Sequence, residues 1–161
     1  MTLPVLTDRL ALRWPVESDF DALCTLWTDP RVAQFMDDWG PRDIPGVRAW
    51  LNTHANAASD NGTHLQLVIT RRTDAEVVGW LGLGQSDNPI AAWSFGYAIH
   101  PTHRANGYAT EALAYCRHHL AVDSLWGECH APNNASAHVM LTAGLRELPH
   151  PPKNTRRFQT P

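Results

Sequence analysis

Apolar positions recur with a period of two in some stretches of this chain and with a helical period in others. Leu10, Leu12 and Trp14 alternate with Ala11 and Arg13, so residues 6–14 read as a first strand, ended by Pro15. Ser18-Asp19 then caps a helix that carries Phe20, Leu23, Cys24 and Trp27 at helical spacing. Asp29-Pro30 is a second start, a cap followed by proline at the first helical position, and it leads into Val32, Phe35 and Met36. Residues 37–45 read as a loop holding Asp37, Asp38 and Trp39; a helix follows with Val47, Trp50 and Leu51 inward, and Asn61-Gly62 marks a turn. Residues 64–70 and 76–85 read as a hairpin joined by the polar Arg71-Arg72-Thr73-Asp74, and Asp87-Asn88-Pro89 turns the chain again.

The second half repeats the alternation of strand and helix. Trp93, Phe95, Tyr97 and Ile99 alternate with Ser94, Gly96 and Ala98, which predicts a strand whose aromatic face packs in the core. Residues 107–120 predict a helix with Ala109, Ala112, Leu113, Cys116 and Leu120 on one face. A short strand over 125–130, a helix over 135–143 closed by Gly144, and a last strand around 155–159 complete the chain. The order β-α-α-β-β-β-α-β-α-β(-β) predicts one mixed α/β domain over residues 1–161, with no linker and no repeat.

Composition narrows the function classes. Hydrophobic content of 43% and charged content of 18% describe a globular chain. A formal net charge of −3 gives no general attraction to nucleic acid or to anionic membranes. No apolar run approaches a membrane span and no leader-like segment opens the chain, so the cytoplasm is the expected compartment. Cys24, Cys116 and Cys129 are odd in number and lack CxxC spacing, as expected of reduced thiols rather than a disulfide framework.

The chemistry concentrates in the stretch from Tyr97 to Leu113. A strand runs into a polar loop with Arg104 and Gly107, and Ala109 stands where a helix begins. A helix start offers unpaired backbone N–H groups and partial positive charge, and it binds phosphate oxygens when the backbone is approachable. Gly107 removes an obstructing side chain, Ala109 stays small, and Arg104 can add a charge-assisted contact. No Lys-Ser/Thr follows the glycine and the other dinucleotide glycines are absent, so neither the P-loop nor the Rossmann pattern is present. On these residues alone, a pyrophosphate cradle and an ordinary turn before a helix both remain open.

Arg104-x-x-Gly107-x-Ala109 resembles the pyrophosphate motif of the GNAT acetyltransferases, and Gly107-Tyr-Ala-Thr-Glu-Ala after His100-Pro101 is similar to the RimJ/RimL branch, the ribosomal-protein N-terminal acetyltransferases. Pro132-Asn133-Asn134-Ala135-Ser136, followed by a helical run to Gly144-Leu145, resembles the family's second motif. Leu10-Ala-Leu-Arg13, Asp19 and Asp29-Pro30-Arg31-Val32 fit its N-terminal segment, so the resemblance runs from about Leu6 to Leu145. It implies a splayed mixed sheet of six to seven strands flanked by about four helices, with acetyl-CoA as co-substrate. By the same resemblance, Arg104, Ala105, Asn106, Gly107, Tyr108, Ala109 and Thr110 hold the pyrophosphate, and the backbone of Ala98, Ile99 and His100 pairs with the pantetheine arm. Relatives usually continue through a longer final hairpin, so the resemblance leaves the acceptor side open or completed by a partner subunit.

Acetyl transfer from a thioester to an amine needs a neutral amine, a donor to the developing oxyanion and a proton for the leaving thiolate. The resemblance places Ser136 near the cofactor sulfur as the candidate acid and cofactor contact, and gives Asn133 the holding of the cofactor arm or of the local backbone; helix capping is the alternative for both. The tyrosine that many relatives carry four residues later is Met140 here, and the glutamate of the central strand is Ser94. Glu128 and His130, on one face of the following strand, are the substitute bases, and Asp37 and Asp38 are candidates to hold a cationic acceptor. His100 and His103 lack a third ligand at metal spacing, so no metal is expected. The expected function is acetyl transfer from acetyl-CoA to a primary amine, first a peptide N-terminus, by direct attack in a monomer or homodimer. Small amines such as an aminoglycoside, polyamine or amino acid are the alternative, and a CoA-binding sensor or a cofactor-free structural domain are the non-enzymatic classes.

Overall fold

The computed structural model describes residues 3–36, 39–55, 63–87, 91–119 and 124–161. The expectations for Asp37, Asp38, the Asn61-Gly62 turn, Asn88-Pro89 and Leu120 fall outside these residues.

Eight strands join one sheet in the order β1-β2-β3-β4-β5-β6-β8-β7. The predicted first strand is two short ones, β1 (Val5–Leu6) and β2 (Leu10–Arg13), paired antiparallel with Val5 opposite Leu12. Thr7-Asp8-Arg9 breaks the run because Thr7 satisfies Leu10 locally: its N–H donates to the Leu10 carbonyl at 2.9 Å, and its hydroxyl accepts from the Leu10 N–H at 3.0 Å. β3 (His64–Arg71), β4 (Val77–Gln85) and β5 (Trp93–Ile99) form an antiparallel meander, as the alternation predicts. β6 (Leu125–His130) joins β5 in parallel through the intervening helix α4 (Tyr108–His119). β8 (Thr155–Gln159) pairs with β6, and β7 (Arg146–Glu147) closes the far edge. That two-residue strand carries no alternation to detect, and together with the split first strand it brings the sheet to eight, one above the expected six to seven.

Helices cover both faces. On one face α1 (Phe20–Thr28), α2 (Pro30–Ala33) and α3 (Ile44–His54) pack Leu23, Leu26, Trp27, Val47 and Leu51 on Val68, Trp80 and Ala98. On the other, α4 and α5 (Asn134–Thr142) bury Ala112, Leu113, Cys116, Ala137 and Met140 against Leu67, Leu81, Phe95 and Leu125. Met140, the departure from the family's tyrosine, is therefore a core residue at 1% exposure. Asp29 caps α2 by accepting the Arg31 N–H at 2.8 Å, as the Asp-Pro signal predicts. Asp19 makes no side-chain cap. It is buried, chelates Arg13 through two 2.7 Å bonds and accepts the Val16 N–H at 2.8 Å, which ties the end of β2 to the start of α1.

Candidate functional site

β5 and β6 are bonded only at their N-terminal ends, where Trp93 faces Leu125 and Ser94 faces Trp126. Beyond Ser94 the strands part, and a cleft of about 620 Å3 opens between them. Its walls are the C-terminal half of β5, the loop and first turn of α4, the middle of β6, the start of α5, and Arg31, Val32, Phe35, Met36 and Trp39 from the α2 side.

The register of β4 and β5 determines which strand edge is free. The His100 N–H donates to the Val78 carbonyl at 2.9 Å, and bonded pairs alternate along an antiparallel ladder. Ala98, opposite Trp80, thus turns its backbone groups toward β4, while Tyr97 and Ile99 present theirs to the cleft. Of the three residues assigned to the pantetheine arm, Ile99 alone has its N–H and carbonyl on the open edge, and Tyr97 joins it.

The loop before α4 takes two left-handed residues, Ala105 at φ 62° and Gly107 at φ 76°. A Cβ on Gly107 would meet only Arg9 Nη2, at 3.4 Å, so the position is open to the cleft rather than packed. The Glu111 N–H bonds the Gly107 carbonyl at 3.0 Å, and the amides of residues 107–110 precede that bond. Ala105, Gly107, Tyr108, Ala109 and Thr110 line the cleft. Asn106 does not: its amide donates to the carbonyls of His103 and Arg104 at 3.1 Å each, tying the loop. Arg104 borders the cleft, but its head is turned to backbone, donating from Nη2 to the Arg31 carbonyl at 3.0 Å and from Nε to the Ile99 carbonyl at 3.4 Å. His100 lies outside the lining, its Nδ1 2.6 Å from the Thr102 hydroxyl.

A network that local sequence spacing does not reveal holds this cradle from behind. Glu111, on the first turns of α4, accepts from the Thr7 hydroxyl at 2.5 Å, the Arg9 N–H at 2.8 Å and Arg9 Nε at 2.7 Å. Arg9 Nη1 also donates to the Asn106 carbonyl at 2.9 Å. Burial disfavours the Glu111 carboxylate, and the bonds from Thr7 and Arg9 outweigh it, holding its pKa below the ordinary value.

At the floor of the cleft, Asn133 Oδ1 accepts the Ser136 N–H at 3.1 Å, so the capping role is real and it orients the first turn of α5. The Ser136 hydroxyl lies 2.8 Å from the Tyr97 hydroxyl. Sequence reasoning placed Tyr97 in the core. It packs there, but its tip reaches the cleft, and a phenol destined for burial needs a partner, which is the signal that was available. Burial pushes the Tyr97 phenol above its ordinary range, and the Ser136 bond only partly offsets this.

The opposite face of the same strands carries the base candidates. Glu128 lines the cleft, yet it is ion-paired with Arg157, whose Nε donates to it at 2.9 Å. His130 is outside the lining and stands edge-on to Phe35, with ring centroids 6.0 Å apart. The structure therefore separates the two, although they share a strand face. Ser94 donates to the Gly84 carbonyl at 3.3 Å and borders the cleft without a carboxylate. Trp39 lies across Gly96, where an added Cβ would stand 2.9 Å from its ring. Trp80 lies likewise across Gly82, the cross-strand partner of Gly96, so paired glycines carry two indoles side by side. With Trp50 and Gln66 these indoles frame a smaller pocket of about 230 Å3 next to the cleft.

A strand pair that parts beside a glycine-opened helix start defines a class. The sequence model described as "Acetyltransferase (GNAT) domain" matches residues 9–146, and the chain belongs to this GNAT acetyltransferase family. Among curated relatives, a protein of Bacillus licheniformis named uncharacterized N-acetyltransferase p20 is 29% identical over 107 residues, 66% of this chain. The chain spans 60% of that relative's length. Among solved structures, an acetyltransferase from Agrobacterium tumefaciens str. C58 superposes with a TM-score of 0.76 at 24% identity, covering 100% of this chain and 96% of that one. Spermidine N-acetyltransferase from Vibrio cholerae, in complex with CoA and spermine, superposes with a TM-score of 0.74 at 15% identity, covering 95% of each chain. At these identities the superpositions speak to the fold.

Proposed function

We propose that this chain, acting as a single GNAT domain, moves an acetyl group from acetyl-CoA to a primary amine, with a peptide α-amine as the first acceptor class. The observation that carries the reading is the parting of β5 from β6 after Ser94, directly opposite an α4 start opened by Gly107. The lining fits the cofactor. The amides of residues 107–110 would hold the pyrophosphate, with Ala109 keeping the approach clear and Arg104 beside it. The edge groups of Tyr97 and the Ile99 N–H would pair with the pantetheine amides, while the Ile99 carbonyl already accepts from Arg104 Nε. Bound there, acetyl-CoA supplies an activated thioester, so much of the rate comes from positioning.

Asn133 orients the α5 turn, and Ser136 is the hydroxyl that gives a proton to the departing sulfur. The amine enters from the side of Trp39, Phe35 and Trp126, across from α4 and α5. Glu128 is the cleft-lining candidate for taking the amine proton, and it does so by exchanging its Arg157 partner. The resemblance of residues 100–112 to the ribosomal-protein N-terminal acetyltransferases supports the peptide acceptor. The pocket beside Trp39 favours a second reading, a small amine, because about 230 Å3 suits a compact group better than a chain. A mass-spectrometric screen with acetyl-CoA against free-N-terminus peptides, polyamines, aminoglycosides and amino acids decides between them. Acetylation at a peptide α-amine is the expected result, and exclusive turnover of small amines overturns that choice. Cofactor binding without transfer to any acceptor would make the chain a CoA sensor.

A further inference from the structure

Tyr97 sits in the middle of β5, stacked on Phe95 with ring centroids 6.4 Å apart and planes within 12°. This packing fixes the ring and leaves its hydroxyl two acceptors, both on Ser136: Oγ at 2.8 Å and the carbonyl oxygen at 3.3 Å. A phenol has one proton to place. Given to the carbonyl, it leaves the phenolic oxygen to accept from the serine, and Ser136 then has no proton for the cleft. Given to Oγ, the shorter contact, it makes Ser136 an acceptor toward Tyr97 and leaves the serine O–H for the cleft, where the Cys129 thiol is its other partner within the protein. The Ser136 N–H is already held by Asn133, which anchors the backbone of the turn and leaves the hydroxyl's own torsions to be set by Tyr97.

Burial also raises the phenol's pKa, so Tyr97 keeps its proton at the pH where an α-amine is neutral, around 8. A phenolate there would invert the bond and consume the serine proton. The neutral ring therefore suits a fixed donor rather than a proton carrier.

We infer that Tyr97 is a positioning residue for the transfer, donating to Ser136 Oγ and so turning the serine proton toward the leaving sulfur. This rests on Ser136 being the proton donor. In the step, the acetyl carbon–sulfur bond breaks and the carbon–nitrogen bond forms. The sulfur takes the Ser136 proton, and the proton shed by the amine passes by way of Glu128 to solvent, which reprotonates Ser136. Tyr97 gains and loses none.

The test is a mutant cycle on the whole chain with saturating acetyl-CoA and the amine found by the acceptor screen. Tyr97→Phe keeps the ring and deletes the donor, so kcat falls about tenfold or more while the KM for acetyl-CoA stays within about twofold. In a Ser136→Ala background the same change has no further effect on kcat, because the proton it aims is gone. A Tyr97→Phe chain that melts at the wild-type temperature and keeps its acetyl-CoA affinity guards against a packing artefact. Equal losses in both backgrounds, or a change confined to KM, overturn the assignment to Tyr97. Full activity of Ser136→Ala removes its premise, and a wild-type chain that acetylates nothing sinks the enzymatic reading instead.

Discussion

Replacing Gly107 with alanine separates the cost of folding from the cost of binding. At φ 76° an L-residue is strained by about 1 kcal/mol. The new methyl meets nothing closer than Arg9 Nη2 at 3.4 Å, an ordinary contact, so no packing penalty adds to it. The unliganded variant should melt about 2–4 °C below the wild type. Binding is read separately, because Gly107 lines the cleft where a phosphate would approach the α4 amides, and a side chain and an altered φ there disturb the loop that presents them. A tenfold weaker complex corresponds to about 1.4 kcal/mol. With acetyl-CoA at ~100 times the wild-type dissociation constant, the wild type gains about 2.7 kcal/mol and rises by roughly 5–10 °C. The variant, then at only ~10 times its own constant, gains about 1.4 kcal/mol and rises roughly half as far. Thermal melts of both proteins with and without acetyl-CoA read all four values. Gly144→Ala is the control: it too is left-handed, at φ 87°, but it lies outside the cleft, so it should lose stability and keep the full ligand shift. An undiminished shift in Gly107→Ala, in a folded protein, would refute the cradle.

Three further outcomes follow from other parts of the structure. Asp19→Ala strands Arg13 beside a site where the aspartate is 3% exposed and should cost about 3 kcal/mol or more in urea unfolding; a loss under ~1 kcal/mol would show that the pair is not needed. The pKa of Glu111 in the folded chain is held below its ordinary 4.5, so its contribution is complete above that pH and is lost as pH falls through the folded value. Glu111→Gln should therefore lower stability at pH 7 by about 1–3 kcal/mol and flatten the acid limb of a stability–pH profile, and an unchanged limb would count against the Thr7–Arg9–Glu111 network. Gly96→Ala would place a Cβ 2.9 Å from the Trp39 ring, which is 47% exposed and free to move aside. Acceptor KM should change with little effect on melting temperature or acetyl-CoA affinity; an unaltered acceptor KM would place the amine elsewhere.

Sequence alone determined most of the elements and the local turns of the candidate site, because both are local. Period-two and helical spacings are written within a few residues of one another, and they set β3 to β6, β8 and all the longer helices. The cap at Asp29, the glycine that opens α4 and the Asn133–Ser136 turn are equally local, so they could be read directly. Tertiary structure decided what depends on register and on partners far along the chain. The assignment of the free edge to Tyr97 and Ile99 instead of Ala98 and His100 follows from how β5 meets β4, which no spacing within β5 contains. The turn at Thr7 split the first strand, and Thr7 and Arg9 then supported α4 across about a hundred residues. Arg104 turned from a free guanidinium into one bonded to the Arg31 and Ile99 carbonyls, and Glu128 became the partner of Arg157. Tyr97 was legible as an aromatic on a core face. Its meeting with Ser136 existed only once α5 was laid against β5, since a hydrogen bond needs two atoms within about 3 Å and sequence separation says nothing of that distance.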